Sequence, residues 1–289
     1  MPIHAEANQQ IRAFEAALHL NGAGCTAKRL FTGIDLGTAY IVTAVVDALG
    51  APVAGVVTRS RSSIRDGLVL DYVGAINILR QQIEKLQNAG FPLQVAAAAI
   101  PPGTAGRNAQ AFGNVVRAVG LDLSGLVDEP TAAALVLGVR EGAVVDIGGG
   151  TTGISVLQGG EVVYTADEPT GGVHIDLVLA GHYGIAVTEA EQLKRDPARQ
   201  TEIAYLVHPV FQKMAQIVRR HLREHPVSTL YLVGGTSCFP GIEAVMEQET
   251  GLEVLRPHNP LLVTPLGIAL DCARTAGFGK NNDRGLDHE

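Results

Sequence analysis

The stretch VVDIGGGTTGISVL, Val144 to Leu157, decides how this chain folds. Gly148, Gly150 and Gly153 carry the Gly-x-Gly-x-x-Gly spacing of a dinucleotide turn. Such a turn leads from a strand into a helix whose N-terminus takes the pyrophosphate. Here the continuation GISVLQGGEVVYTAD alternates and turns like two strands, so the glycines belong to a hairpin. No Gly-x-x-x-x-Gly-Lys-Ser/Thr run is present, which removes the P-loop class. A second stretch of the same design, GIDLGTAY, stands far upstream at Gly33 to Tyr40.

Outward from these two turns the chain reads as a duplication. After RLFTGID come the strands TAYIVTAVVDALG and APVAGVVTRS, the helix LDYVGAINILRQQIEKLQNAG, the strand LQVAAAAI, a helix to Leu121, the strand LSGLVDE and the helix PTAAALVLG. The order then recurs. GAVVDIG, TGISVLQ and GEVVYTADE are three strands, followed by a helix after Thr170, the helix VFQKMAQIVRRHLREH from Val210, the strand VSTLYLVGG, the helix PGIEAVMEQETG, the strand LEVLR and the helix TPLGIALDCARTAG. The expected units are residues 1–29 as an amphipathic helix and linker, 30–140 as a first lobe, 141–263 as a second, 264–276 as a helix returning to the first, and 277–289 as a disordered polar tail.

Composition supports this reading. The 289 residues are 46% hydrophobic, contain no Trp and carry 34 Gly, so the core is built from Ala, Val, Leu and Ile, as buried α/β strands require. A net charge of −7 argues against a general nucleic-acid binder, which needs a basic face. Cys25, Cys238 and Cys272 lie far apart, so the expectation is a reducing cytosol and no disulfide framework. Arg140, Glu141 and Asp146 interrupt the longest apolar run, so no membrane span is expected, and no export leader is read at the start.

Each hairpin offers the same chemistry. Glycines let backbone approach a ligand, turn N–H groups can face phosphate oxygens, and Thr38, Thr151 and Thr152 add hydroxyl donors. Asp35 and Asp146 at the strand ends would repel phosphate unless a cation stood between, and Mg²⁺ with retained waters fits that need. Two such hairpins facing across a cleft would grip a polyphosphate from both sides.

The residues that carry a family resemblance are GIDLGT, LVDEPTAAAL, VVDIGGGTT, LYLVGGTSCFPGI and TPLGIAL, in that order. Together they resemble the two phosphate motifs, the two connecting helices and the adenosine motif of the actin-like ATPase superfamily, over about Leu30 to Ala276. IRDGLVLDYVGAINILR, PPGT, EAEQLKRD and VTPLGIA further resemble the EutJ family of ethanolamine-utilisation proteins, a chaperone-like branch encoded with bacterial microcompartment enzymes. The resemblance implies two ribonuclease-H-like α/β domains, each with a mixed five-stranded sheet flanked by helices, and ATP or ADP with Mg²⁺ between them.

Carried over, Asp35 and Asp146 would hold Mg²⁺ through water, and Gly37, Thr38, Gly148, Gly149, Gly150, Thr151 and Thr152 would line the phosphates. Glu129 would position or activate the attacking water; the plainer alternative is a carboxylate favoured at a helix start. Gly171 and Gly172 would lie near sugar and phosphates, Glu191 and Lys194 would reach ribose and base or form a solvated ion pair, and Gly234, Gly235 and Thr236 would let backbone pass the adenosine. Three departures bear on activity. Cys238 stands where chaperones carry an Arg beside adenine. Val42 stands where actin has a Lys, and the stretch between Ser60 and Leu68 is too short for the chaperone's phosphate Lys. Less positive charge implies slow hydrolysis. His174 reads as a packing residue rather than a base.

The function implied is a chaperone-like nucleotide-binding protein and slow Mg-ATPase, cytoplasmic or associated with a microcompartment. Its partners would be ethanolamine-utilisation enzymes or the shell, bound by the lobes themselves because no substrate-binding β domain follows. A non-hydrolysing assembly factor is the alternative, with a small-molecule kinase or a filament former behind it. IRAFEAALHL, with Ile11, Phe14 and Leu18 on one stripe, is either a targeting helix or one that folds back on the first lobe.

Overall fold

The structure is a computed structural model that describes residues 3, 5–19, 29–60, 64–65, 68–69 and 71–278. In the first lobe β1 (Leu30–Leu36), β2 (Tyr40–Asp47) and β3 (Pro52–Arg59) form an antiparallel meander; then come a short hairpin, β4 (Ile64–Arg65) and β5 (Leu68–Val69), and α2 (Tyr72–Asn88), β6 (Val95–Ile100), α3 (Gly106–Ala118), β7 (Asp122–Asp128) and α4 (Glu129–Leu137). The second lobe repeats this with β8 (Gly142–Ile147), β9 (Thr152–Gln158), β10 (Glu161–Glu168), α5 (Gly172–Tyr183), α6 (Val187–Lys194), α7 (Gln200–His221), β11 (Thr229–Val233), α8 (Ile242–Thr250) and β12 (Glu253–Leu255). The sheet orders are β3-β2-β1-β6-β7 and β10-β9-β8-β11-β12. In both, the first three strands pair antiparallel and the last two add in parallel, so the two mixed five-stranded sheets expected from the sequence are present.

The final helix α9 (Val263–Phe278) packs on β1 and β2 and crosses α4. Glycine sets that approach. A Cβ on Gly267 would stand 1.9 Å from the Ala132 carbonyl oxygen, and one on Gly33 would stand 2.3 Å from the Ala269 nitrogen. Ala132 and Ala133 are fully buried in the same seam, so backbone meets backbone where the two lobes are joined. Gly267→Ala is expected to cost about 1–3 kcal/mol, because no rotamer change can relieve overlap with a backbone oxygen. A chemical-denaturation midpoint equal to that of the unsubstituted chain would show that the seam yields.

The N-terminal helix α1 (Ala5–Ala17) takes the fold-back arrangement, one of the two expected for it: Ala7, Ile11 and Phe14 are buried against the first lobe. Phe14 occupies a notch over Gly55, where a Cβ would lie 2.5 Å from the ring. The expected linker lies outside the described residues from 20 to 28, as does the tail from 279 onward; residues 277 and 278 belong to α9. Helix α7 starts at Gln200, not Val210, and runs through Pro209. Ile203, Val207, Phe211, Met214, Ala215 and Val218 form one continuous buried stripe. That burial outweighs the single backbone hydrogen bond a proline removes. Among the described residues no helix is long and apolar enough to cross a membrane.

Candidate functional site

The two glycine turns meet between the lobes. A Cβ on Gly149 would lie 3.1 Å from the Ala39 nitrogen and 3.4 Å from the Thr38 Cβ, so the hairpin tips face each other at contact distance. Asp35 and Asp146, near the ends of the equivalent strands β1 and β8, stand on either side of this junction. Burial pushes Asp35 up to about 7, and the charge of Asp146 adds to the shift. Burial also raises Asp146 to about 6, against the lowering effect of Thr264, whose hydroxyl donates to its Oδ2 at 2.6 Å.

Glu129 joins them. It is the first residue of α4, but capping falls to Asp128, whose carboxylate accepts the Thr131 N–H at 3.0 Å. Glu129 instead lies among the carboxylates. Burial, then the charges of Asp146, Asp35, Asp167 and Asp128, hold its carboxyl well above the usual range. Asp167, on β10 opposite Gly153, is the member that sequence reasoning missed. Burial lifts it to about 7 against a hydrogen bond from Thr151, and its Oδ1 is buried with no hydrogen-bond partner among the described residues. The charged groups that raise Asp35, Glu129 and Asp167 are all carboxylates. Such a set, with one oxygen orphaned, fits a cation and suits Mg²⁺ in particular, which keeps its waters. Among the described residues no three His, Cys, Asp or Glu side chains are arranged to grip an ion directly.

Around this centre the chain is built for backbone approach. Gly37 sits in the first tip and Gly150 is buried in the second. The Gly172 and Val173 N–H groups donate to the Gly148 and Gly149 carbonyls at 3.0 and 2.8 Å, and a Cβ on Gly171 would lie 2.7 Å from the Gly148 oxygen. Gly234 takes φ +87°, and a Cβ there would stand 2.2 Å from Asp146 Oδ1, so this loop touches the carboxylate. Gly235 to Cys238 follow in a 3₁₀ turn.

Several expected ligand groups are instead held by protein. The Thr152 hydroxyl is fully buried and donates to the Thr170 carbonyl at 2.7 Å. The Thr236 hydroxyl donates to the Gly148 carbonyl at 2.7 Å, which ties the 234–238 loop to the second hairpin. Lys194 pairs with buried Asp176 at 2.7 Å and donates to the Gly172 carbonyl at 3.1 Å. Glu191 pairs with Arg195, the residue that caps its helix, and with Arg59 at the end of β3, which links the lobes. Arg195 also lies 5.0 Å over the Tyr40 ring of the first lobe. His174 accepts the Gly171 N–H at 3.3 Å, a helix-start contact. Val42 is buried and apolar, in register with Asp35.

Comparison with known proteins agrees with this architecture. The model of the type IV pilus assembly protein PilM family matches residues 138–263, and that of the MreB/Mbl protein family matches residues 54–196. The ethanolamine utilization protein EutJ of Salmonella typhimurium is 45% identical over 242 residues, covering 83% of this chain and 85% of that protein. The crystal structure of EutJ from Carboxydothermus hydrogenoformans superposes with a TM-score of 0.86 at 48% identity, covering 92% and 98% of the two chains. MreB5 of Spiroplasma citri, solved bound to ADP, shares the fold at TM-score 0.69 and 19% identity, covering 87% and 99%. With twin sheets, facing glycine hairpins and this degree of likeness, the chain belongs to the EutJ family of ethanolamine-utilisation proteins, within the actin-like ATPase superfamily.

Proposed function

We propose that the chain is a nucleotide-operated switch in ethanolamine utilisation, which takes ATP or ADP with Mg²⁺ between its lobes and hydrolyses ATP slowly. The observation that supports this most is the carboxylate group formed by Asp35, Asp146 and Glu129 at the junction of two duplicated hairpins. Mg²⁺ would supply the positive charge that lets these carboxylates coexist with phosphate oxygens. Asp35 and Asp146 would hold it through water. The turns at Gly37–Thr38 and Gly148–Thr151 would present backbone N–H groups, and Gly171–Gly172 and Gly234–Thr236 would line the nucleoside side. Glu129 would orient the attacking water and accept its proton. A carboxyl kept protonated by burial and by neighbouring acids becomes a base only when positive charge enters among them. That ties Glu129 to the loaded state.

A second reading, nucleotide as a structural bridge without turnover, has its own support. The charges acting on the centre are carboxylates, and Val42 offers no cation beside Asp35. Either way the lobes would change partner affinity by favouring one relative arrangement when nucleotide is present. Partners would be ethanolamine-utilisation enzymes or a microcompartment shell, met in the cytoplasm. Burial of Ile11 and Phe14 against the first lobe supports a fold-back role for α1 over targeting.

Thermal melting tests the binding claim. ADP plus Mg²⁺ is expected to raise the melting temperature, with stabilisation of about 2.7 kcal/mol at a hundred times the dissociation constant. EDTA is expected to remove most of the effect. Equal melting with and without ADP, ATP and Mg²⁺ would sink the reading.

A further inference from the structure

Helix α1 reaches further than the lobe on which it sits. Its apolar residues Ile11 and Phe14 face β3, but its polar edge faces the segment that leaves β12 and enters α9. The Asn8 side chain accepts the His258 N–H at 2.9 Å. Both oxygens of Glu15 are used there: Oε2 pairs with His258 Nε2 at 2.7 Å, and Oε1 accepts from Asn259 Nδ2 at 2.8 Å. Asn259 touches the adenosine-type loop with its other side-chain atom, for Cys238 Sγ lies 3.9 Å from its Oδ1. The next residues continue the contact. The Pro260 carbonyl accepts the Gly234 N–H at 3.0 Å, and Leu261 closes over Gly235, where a Cβ would stand 3.2 Å from its Cδ1.

We infer that α1 forms an outer brace of the nucleoside wall, and that Glu15 is a positioning residue that sets the Gly234–Cys238 loop through Asn259. This rests on the nucleotide reading above and adds control of the same site by the N-terminal helix. A terminal amide has a broad torsional well, so Asn259 needs a fixed partner to hold one orientation. The Glu15 carboxylate is that partner, with a charge-assisted bond that outlasts a neutral one. A protein that pulls α1 off the lobe would free Asn259, loosen the loop and weaken the nucleoside end of the site. The phosphate end, built mainly from the hairpins and α4, would be affected less; it meets this loop where Gly234 touches Asp146 and Thr236 donates to Gly148.

The test uses the full chain with Glu15→Ala, Glu15→Gln and Asn259→Ala; Glu6→Ala, an exposed carboxylate on the same helix, is the control. Three readouts are compared: Mg²⁺–ADP affinity, affinity for inorganic pyrophosphate with Mg²⁺, and amide hydrogen exchange at residues 234–238 without nucleotide. Glu15→Ala and Asn259→Ala are expected to weaken ADP roughly five- to ten-fold, the scale of one lost hydrogen bond. Pyrophosphate affinity is expected to fall less than ADP affinity, exchange at 234–238 to quicken, and Glu15→Gln, which keeps an acceptor for Asn259, to recover most of the ADP affinity. ADP binding within two-fold of the unsubstituted chain, or equal loss of ADP and pyrophosphate, overturns the inference. If the unsubstituted chain binds no ADP, the nucleotide reading falls and exchange alone decides: faster exchange at 234–238 supports the brace, and unchanged exchange ends it.

Discussion

Glu129→Ala is expected to slow single-turnover ATP hydrolysis by about a hundred-fold or more, the range for removal of a positioned general base. ADP affinity is expected to change little, because Glu129 would face the reacting water rather than the nucleoside. The reasoning starts at the helix end. Asp128 already accepts the free Thr131 N–H, so the first turn of α4 does not need Glu129 as its cap. The side chain is instead buried among Asp146, Asp35, Asp167 and Asp128, and burial first, then their charges, hold its proton on. A structural carboxyl has little reason to sit where burial and like charges both oppose its ionisation. Phosphate release from a pre-formed enzyme–ATP complex is the measurement. Equal rates for the variant and the unsubstituted chain would remove Glu129 from the chemistry. No release from either would favour the structural-bridge reading.

How far the sequence goes is seen in particular residues. Both sheets were legible because Asp35 and Asp146 end apolar runs, and each is followed by a glycine turn and alternating residues rather than a helical pattern. Period and turn chemistry act locally, so they survive into the fold. Asp167 was not legible as a site residue. Its place depends on strand register across β9 and β10, which sets it opposite Gly153, and register is a tertiary property. The one local signal was an acid closing the third strand just ahead of Gly171 and Gly172. Thr152 shows the opposite limit: its hydroxyl suits a phosphate by type, yet it is fully buried and donates to the Thr170 carbonyl. The first part of α7, from Gln200 to Pro209, was not legible because the stripe from Ile203 to Val218 gains only on meeting the second sheet, while Pro209 within it is a local cost. The fold-back of α1 depended likewise on the absence of a side chain at Gly55, a partner some forty residues away.

Asp35→Asn is expected to separate stability from binding. Free of nucleotide, the variant should melt higher than the unsubstituted chain at pH 8, by on the order of 5 °C at about 2–4 °C per kcal/mol. With Mg²⁺ and nucleotide it should gain little or nothing. The sign follows from proton counting. Asp35 is raised to about 7 from 3.8, so between those values the native state holds a proton that the unfolded chain has released. Stability then falls as pH rises through this window, and the full cost is present above pH 7. Asp167, raised to about 7, and Asp146, raised to about 6, act in the same direction. The nucleotide-free protein is therefore expected to melt lower at pH 8 than at pH 5.5. Asparagine keeps the shape of Asp35 without the buried charge, so its pH dependence should be shallower. The same charge is what would attract a hydrated cation, which is why the gain in stability should come with loss of Mg²⁺-dependent nucleotide binding. Calorimetry in two buffers of different ionisation enthalpy adds a check, since loading the unsubstituted site near pH 6.5 should release protons and loading the variant should release fewer. An Asp35→Asn protein that melts lower than the unsubstituted chain at pH 8, or that still binds Mg²⁺–ADP with full affinity, would mean that the carboxylate at the end of β1 is not the group that faces the cation.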